Sequence, residues 1–233
     1  MGSKKGFTLA EVLITLGIIG VVAAITFPMI IAKYKDKVLV SQAKRSYSII
    51  SNAMLKAKAD YNFNSYGDFF NKNNYSTAEI IEILAKELKP VKTCPKGGKC
   101  WTWKTMASKK LYVNGKTTYY NLAGYPSMIL ADGSAIYIGV YEHNGDCYSS
   151  YNGYKTDGKG NPILDENGEK IYYTSYDYRC GSIKVDVNGE KGPNQFGADT
   201  WDISVKKDKI TLEYYSVLYD DTLTYEYYPE GIE

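Results

Sequence analysis

From Phe7 to Ala32 the chain reads FTLAEVLITLGIIGVVAAITFPMIIA, 26 residues in which Glu11 is the only charged side chain. At about 1.5 Å per residue a helix of this length reaches about 39 Å, more than the roughly 30 Å hydrocarbon core of a bilayer. Helices buried in soluble cores seldom stay apolar on every face for so long, so the run predicts a transmembrane segment. Lys4 and Lys5 precede it, and the positive-inside rule places the N-terminus in the cytoplasm and the rest of the chain across the membrane. After Ala32 the pattern turns amphipathic. Val38, Ala43, Tyr47, Ile50, Met54 and Ala57 recur every three to four residues, with Lys35, Lys37, Lys44, Lys56 and Lys58 mostly elsewhere. This spacing predicts one helix continuing to about residue 58, whose apolar stripe the remaining chain must cover. Coiled-coil pairing is the competing arrangement, and the absence of a clean 3.5-residue repeat weighs against it.

Residues 59–75 are rich in Asn and Gly and predict a loop with one short helical turn. A second helix follows, opened by a Ser76–Glu79 capping box, carrying Ile80, Ile81, Ile83, Leu84 and Leu88 on one face, and stopped by Pro90. From about residue 110 strand patterns dominate, with turns at Asp132-Gly133, Asn167-Gly168 and Lys207-Asp208. They predict an antiparallel sheet. Residues 142–179, rich in Gly, Tyr and Asn, read as a long insertion with no predicted structure.

Composition narrows the chemistry. The 28 basic and 26 acidic side chains differ only by Lys4 and Lys5, so no basic surplus is left for a phosphate backbone and no nucleic acid contact is expected. A single histidine, His143, disfavours histidine metal sites and most acid–base catalysis. There is no nucleophile elbow, phosphate-binding glycine loop or HExxH motif, and the adjacent Asp220 and Asp221 read as solvated rather than catalytic. The expectation is a protein that is not an enzyme. The 24 tyrosines, against two arginines, Arg45 and Arg179, have two explanations: AT-rich codon usage, or a Tyr-rich binding surface. Composition does not separate them.

A secretory signal places its small-residue cleavage site after the apolar run; here Gly6 precedes it. The segment Gly6-Phe7-Thr8-Leu9-Ala10-Glu11-Val12 resembles the class III processing site of type IV pilins and type II secretion pseudopilins. That resemblance implies a leader of residues 1–6, cleavage after Gly6 by a prepilin peptidase, and methylation of the new amine on Phe7. It also implies assembly roles for Glu11 and for the helix-kinking Pro28. A carboxylate at bilayer depth costs about 2.5–3.5 kcal/mol and so calls for a partner; the Phe7 ammonium of an adjacent copy would supply one and set axial register. The implied fold is α+β and pilin-like: a long N-terminal helix over residues 7–58, with 7–32 as transmembrane and filament core, packed on an antiparallel, disulfide-bonded sheet in a head over residues 59–233. The implied protein passes the cytoplasmic membrane once with its head outside, then enters a surface or periplasmic filament. Its partners would be other copies or related pilins, the peptidase, an inner-membrane assembly platform and, before assembly, lipid. The rival reading is a membrane-anchored adhesin or a carbohydrate- or protein-binding module with a Tyr-rich surface.

Four cysteines, Cys94, Cys100, Cys147 and Cys180, lie in the segment placed outside the cytoplasm, where disulfides form. Of three connectivities the favoured one closes the CPKGGKC loop with Cys94–Cys100 and staples the insertion with Cys147–Cys180; zinc would need tighter spacing or nearby histidines. The stretch DVNGEKGPNQFGADTWD resembles a loop common in bacterial pilin-like proteins. It concentrates oxygen ligands at Asp186, Asn188, Glu190, Asn194 and Asp199, a set suited to calcium such as the major pseudopilin of type II secretion holds. The EF-hand template fails at Lys191 and Gly197. Two readings stay open: calcium held by Asp186, Asn188 and Asp199 as the one cofactor, or an Asn-Gly turn with a Gly/Pro-rich connection and no cofactor.

Overall fold

The computed structural model describes residues 6, 8–106, 119–141, 146–157, 160–212 and 216–223. The chain forms two compact units, residues 1–38 and 39–233. Helix α1, Leu9–Tyr61, contributes to both. In the first unit its large apolar side chains have no cover: Leu13, Ile14, Ile18, Ile19, Ile25, Phe27 and Ile30 are 60–64% exposed, with no buried face. The helix assignment continues through Pro28 without a break. By length and composition this helix suffices to cross a membrane.

In the second unit the same helix buries Leu39, Val40, Ala43, Ile50, Ala53, Met54 and Ala57, a stripe at the helical repeat. The helix runs to Tyr61 rather than residue 58, and Asn62 then takes the left-handed conformation (φ 50°) that Asn tolerates. Short α2, Tyr66–Phe69, and α3, Thr77–Leu88, each begin with a reciprocal capping box, Ser65 with Asp68 and Ser76 with Glu79. α3 ends at Lys89, in the left-handed region one residue before Pro90.

The strands are β1 (Lys92–Cys94), β2 (Thr105–Met106), β3 (Tyr119–Tyr120), β4 (Ser127–Ile129), β5 (Ala135–Val140), β6 (Ser149–Tyr154), β7 (Tyr172–Asp177), β8 (Gly181–Asp186), β9 (Thr200–Val205) and β10 (Ile210–Leu212); α4 (Ser216–Tyr219) follows. Six of them form one antiparallel sheet in the order β1-β4-β5-β8-β9-β10. β1 lies earlier than the strand pattern predicts, since three residues are too few to show alternation. The turns at Asp132-Gly133 and Lys207-Asp208 join β4 to β5 and β9 to β10; the turn at Asn167-Gly168 closes with Asp165 N–H donating to the Glu169 carbonyl at 2.7 Å. Paired positions Met128, Ile136, Ile138, Ile183, Val185, Trp201 and Ile203 share one sheet face, and they join the buried stripe of α1 and Ile80, Ile81 and Leu84 of α3 in the main core. The fold is therefore α+β and pilin-like, a long N-terminal helix with an antiparallel sheet. A second, smaller cluster around Trp101, Leu122, Ala135 and Phe196 holds the opposite face at the β4-β5 end, where Ala135 points away from Ile136.

Cys94 pairs with Cys100 (Cα–Cα 5.9 Å) and Cys147 with Cys180 (Cα–Cα 4.4 Å). The second bridge is fully buried and joins the start of the insertion to the residue before β8. Between these cysteines β6 and β7 form a separate two-stranded ribbon. Asp221 is not simply solvated: it forms an ion pair with Lys44, both partly exposed, so the pair contributes little.

Gly181, beside this bridge, has no room for a side chain: a Cβ there would lie 2.3 Å from the Gly139 carbonyl oxygen and 2.6 Å from Phe70 Cδ1. Overpacking at so rigid a point costs about 1–3 kcal/mol. Gly181→Ala is expected to lower the urea midpoint accordingly. Gly139→Ala meets no backbone atom within 4 Å among its three nearest neighbours, only the end of the Tyr137 side chain (2.7 Å to its hydroxyl, 3.3 Å to Cζ) and Ser182 Oγ at 3.6 Å, and should shift the midpoint much less; equal midpoints for the two variants would refute this account of the core.

Candidate assembly helix and buried aspartate loop

Gly6 is exposed, and an added Cβ there would meet nothing within 4 Å. Residues 1–5 and Phe7, with the proposed methylation position, lie outside the described residues, as does His143. Thr8 and Glu11 form a capping box that the sequence reading did not single out. The Thr8 N–H and hydroxyl both donate to Glu11 Oε2 at 2.8 Å, and Glu11 N–H donates to Thr8 Oγ1 at 3.3 Å. Val12 N–H donates to the Thr8 carbonyl at 3.2 Å, closing the first turn. The signal was present as T-x-x-E immediately before an apolar run. Caps of this kind contribute about 1 kcal/mol, and the carboxylate sits at the positive end of the helix dipole. In the single chain, then, Glu11 has an intramolecular partner. Pro28 is exposed on the same helix.

The second candidate lies where β8 hands over to β9. Asp186 ends β8, Asp199 precedes β9, and Val187 N–H donates to the Asp199 carbonyl at 2.8 Å, which draws the two acids together. Both are buried, at 2% and 0% exposure. Asp186 Oδ1 accepts from Gly189 N–H at 2.8 Å and Asn188 N–H at 3.3 Å, and its Oδ2 accepts from the Trp103 indole at 2.9 Å. Asp199 Oδ1 and Oδ2 accept from Gln195 N–H and Asn194 N–H, both at 2.7 Å. Gly189 is obligatory here, since its φ is 63° and a Cβ would lie 2.4 Å from the Gly133 carbonyl oxygen. Trp103, which stacks on Trp101 at 5.4 Å, is a partner the sequence did not reveal, because 83 residues separate it from Asp186.

Calcium takes six to eight oxygens. Every carboxylate oxygen of this pair already accepts a hydrogen bond, Glu190 is exposed, and among the described residues no three His, Cys, Asp or Glu side chains gather to hold a metal. Asp186, Asn188 and Asp199 come together; the two carboxylates accept from the loop's own N–H groups and from Trp103, while Asn188 Oδ1 is buried without a hydrogen-bond partner. What the arrangement does is fold a turn around two buried acids.

Residues 1–27 match the family model of the prokaryotic N-terminal methylation motif. The chain carries a prepilin-type N-terminus. No curated protein and no solved structure gives a match to the chain. The motif characterises type IV pilin-like precursors, which points to a structural subunit rather than an enzyme, and it agrees with the class III reading of Gly6 to Val12.

The buried acids carry a pH dependence. Burial, followed by the nearby charge of Asp199, pushes Asp186 up to about 7, against the pull of its hydrogen bonds. Burial likewise pushes Asp199 up to about 6. Unfolded aspartates titrate near 3.9, so between about pH 4 and 7 the folded chain holds protons that the unfolded chain has released. Stability from this pair is therefore full below about pH 4 and is lost as pH rises toward 7. Urea melts from pH 4 to 8 are expected to show wild type losing stability relative to Asp186→Asn across that window; parallel curves would exclude the buried-acid account. Melts in millimolar calcium and in chelator should superimpose, and a rise of several degrees in calcium would return the ion to the loop.

Proposed function

We propose that this chain is a pilin or pseudopilin: a filament subunit cut after Gly6 by a prepilin peptidase, methylated on Phe7, and assembled through its N-terminal helix. The observation that carries the reading is the bare apolar surface of residues 9–32, which overlaps the methylation motif at residues 1–27. A helix apolar on every face is stable only in lipid or against other apolar helices. Lipid covers it before assembly and neighbouring copies or related pilins cover it afterwards, with the platform of the inner membrane handing it from one to the other. Residues 1–6 are the leader. The residues from Leu39 onward form the head, outside the cytoplasmic membrane, where its disulfides are oxidised. The same reading serves surface pili and periplasmic secretion filaments. The rival, a membrane-anchored binding module, draws on a separate surface, the β6–β7 ribbon.

Intact mass of the mature protein tests the reading. It should lack residues 1–6 and carry one added methyl, and Gly6→Val should leave the leader attached. Mature protein that keeps Met1, or is cut after Ala24, would end the assignment, as would the absence of any gene-dependent filament on imaging.

Glu11 has two separable roles in this scheme, capping its own helix and pairing with the Phe7 ammonium of a neighbour. Glu11→Gln keeps a residue that serves in a capping box but removes the charge, whereas Glu11→Val removes both. Both variants should insert into membranes and both should fail to enter filaments. Normal assembly of Glu11→Gln would reduce the residue's role to the cap.

A further inference from the structure

The β6–β7 ribbon pairs Ser150 with Tyr176, Asn152 with Thr174 and Tyr154 with Tyr172. Directly paired residues share a face and alternate residues change it, so the even-numbered positions from 148 to 154 and from 172 to 178 lie on one side. That side carries five tyrosines, Tyr148, Tyr154, Tyr172, Tyr176 and Tyr178, all 39–69% exposed. They sit at its two ends. Tyr148 stacks on Tyr176 at 5.8 Å and lies 5.6 Å from Tyr178, and Tyr154 meets Tyr172 edge-on at 6.5 Å. Between these groups Thr174 Oγ1 donates to Asn152 Oδ1 at 2.9 Å. The strand positions of this face carry only Tyr, Ser, Asn and Thr, and at its far end the Lys170 ammonium lies over the Tyr154 ring, 4.5 Å from the centroid. From Tyr148 to Tyr154 it extends for about 20 Å at 3.3 Å per residue.

Tyr151 and Tyr173 lie on the opposite side, so abundance alone does not distinguish the faces; the even-numbered side differs in gathering its rings into two touching groups, Tyr148 with Tyr176 and Tyr178, and Tyr154 with Tyr172. Ribbon stability accounts for ring–ring contact, since isolated two-stranded sheets are marginal, but not for an amide and hydroxyls set between two exposed aromatic groups. We propose that this face binds a neutral saccharide chain with flat ring faces, of the β-1,4-linked glucose or N-acetylglucosamine class. The C–H faces of such rings stack on tyrosines, and their hydroxyls exchange hydrogen bonds with Asn152, Thr174 and the tyrosine hydroxyls. The Lys170 ammonium is already engaged on the Tyr154 ring, the Tyr148–Tyr176–Tyr178 end is built of uncharged rings, and a protein partner has no aliphatic core to pack against. The buried Cys147–Cys180 bridge and the Arg179 guanidinium, which donates from Nε and Nη2 to Asp177, hold the base of the ribbon in place. The site is independent of filament assembly.

The test uses the full chain in a phosphocholine detergent, which has no sugar headgroup, with cellohexaose and chitohexaose as probes. Saturation-transfer NMR should show the ring C–H protons of at least one sugar in contact with protein. Tyr154→Thr combined with Tyr172→Thr should weaken that binding about tenfold or more, about 1.4 kcal/mol, whereas Tyr151→Thr combined with Tyr173→Thr, on the other face, should leave it within about twofold. Should the tyrosine variants disturb the ribbon, Thr174→Val keeps its β-branched shape and should still weaken binding. No transfer from either sugar would overturn the proposal, as would equal losses from both faces. So would concentration-dependent self-association abolished by Tyr154→Thr and Tyr172→Thr, which would assign the face to a second copy.

Discussion

The apolar surface of residues 9–32 is the constraint on which the rest depends. Each Leu, Ile, Val or Phe left in water forgoes about 1.5–3 kcal/mol of burial, and in this unit the chain covers none of the large ones that are 60% or more exposed. The helix must therefore live in lipid or among its own kind. A prepilin-type methylation motif and an acid at the first turn of this helix are consistent with a segment that passes between those two environments.

Helix α1 meets two different surroundings within one regular element. Up to Ala32 it is apolar all round apart from Glu11; from Leu39 it narrows to a stripe of Leu39, Val40, Ala43, Ile50, Ala53, Met54 and Ala57 that joins the core shared with α3 and the sheet. The head is then held at places that ordinary strand pairing leaves weak. One disulfide closes a short loop beside β1, and the other fixes the ribbon to β8. The Asp186–Asp199 turn fastens β8 to β9 by hydrogen bonds from backbone N–H groups to carboxylates, which are stronger than neutral ones. Their burial makes the same turn sensitive to pH.

Much of this was legible in the residue pattern. The transmembrane-length helix, its amphipathic continuation, the Ser76–Glu79 box and the turns at 132–133 and 207–208 all rest on local periodicity or turn chemistry, and the structure reproduces each of them. Two features were not legible. β1 is too short to alternate, and the ribbon's strands are polar on both faces, so hydrophobic period gives no signal. The Thr8–Glu11 box was readable, but it is hidden behind the more conspicuous question of a charge at bilayer depth.

By itself the sequence determined the N-terminal half of the account. The methylation motif, the position of Glu11 and the unbroken apolar helix depend on residues within one or two turns of each other, where spacing alone sets geometry. Only the tertiary structure decided what the distant residues do. Asp186 and Asp199 looked like ligands in a loop; in the fold, backbone donors and Trp103 take up their oxygens. The tyrosines looked like composition; the register of β6 on β7 places Tyr154, Tyr172 and Tyr176 on one face, and ring contacts add Tyr148 and Tyr178 beside it. Both outcomes turn on pairings between residues 13 to 83 positions apart, and such pairings are selected by the packing of the whole head rather than by any local pattern.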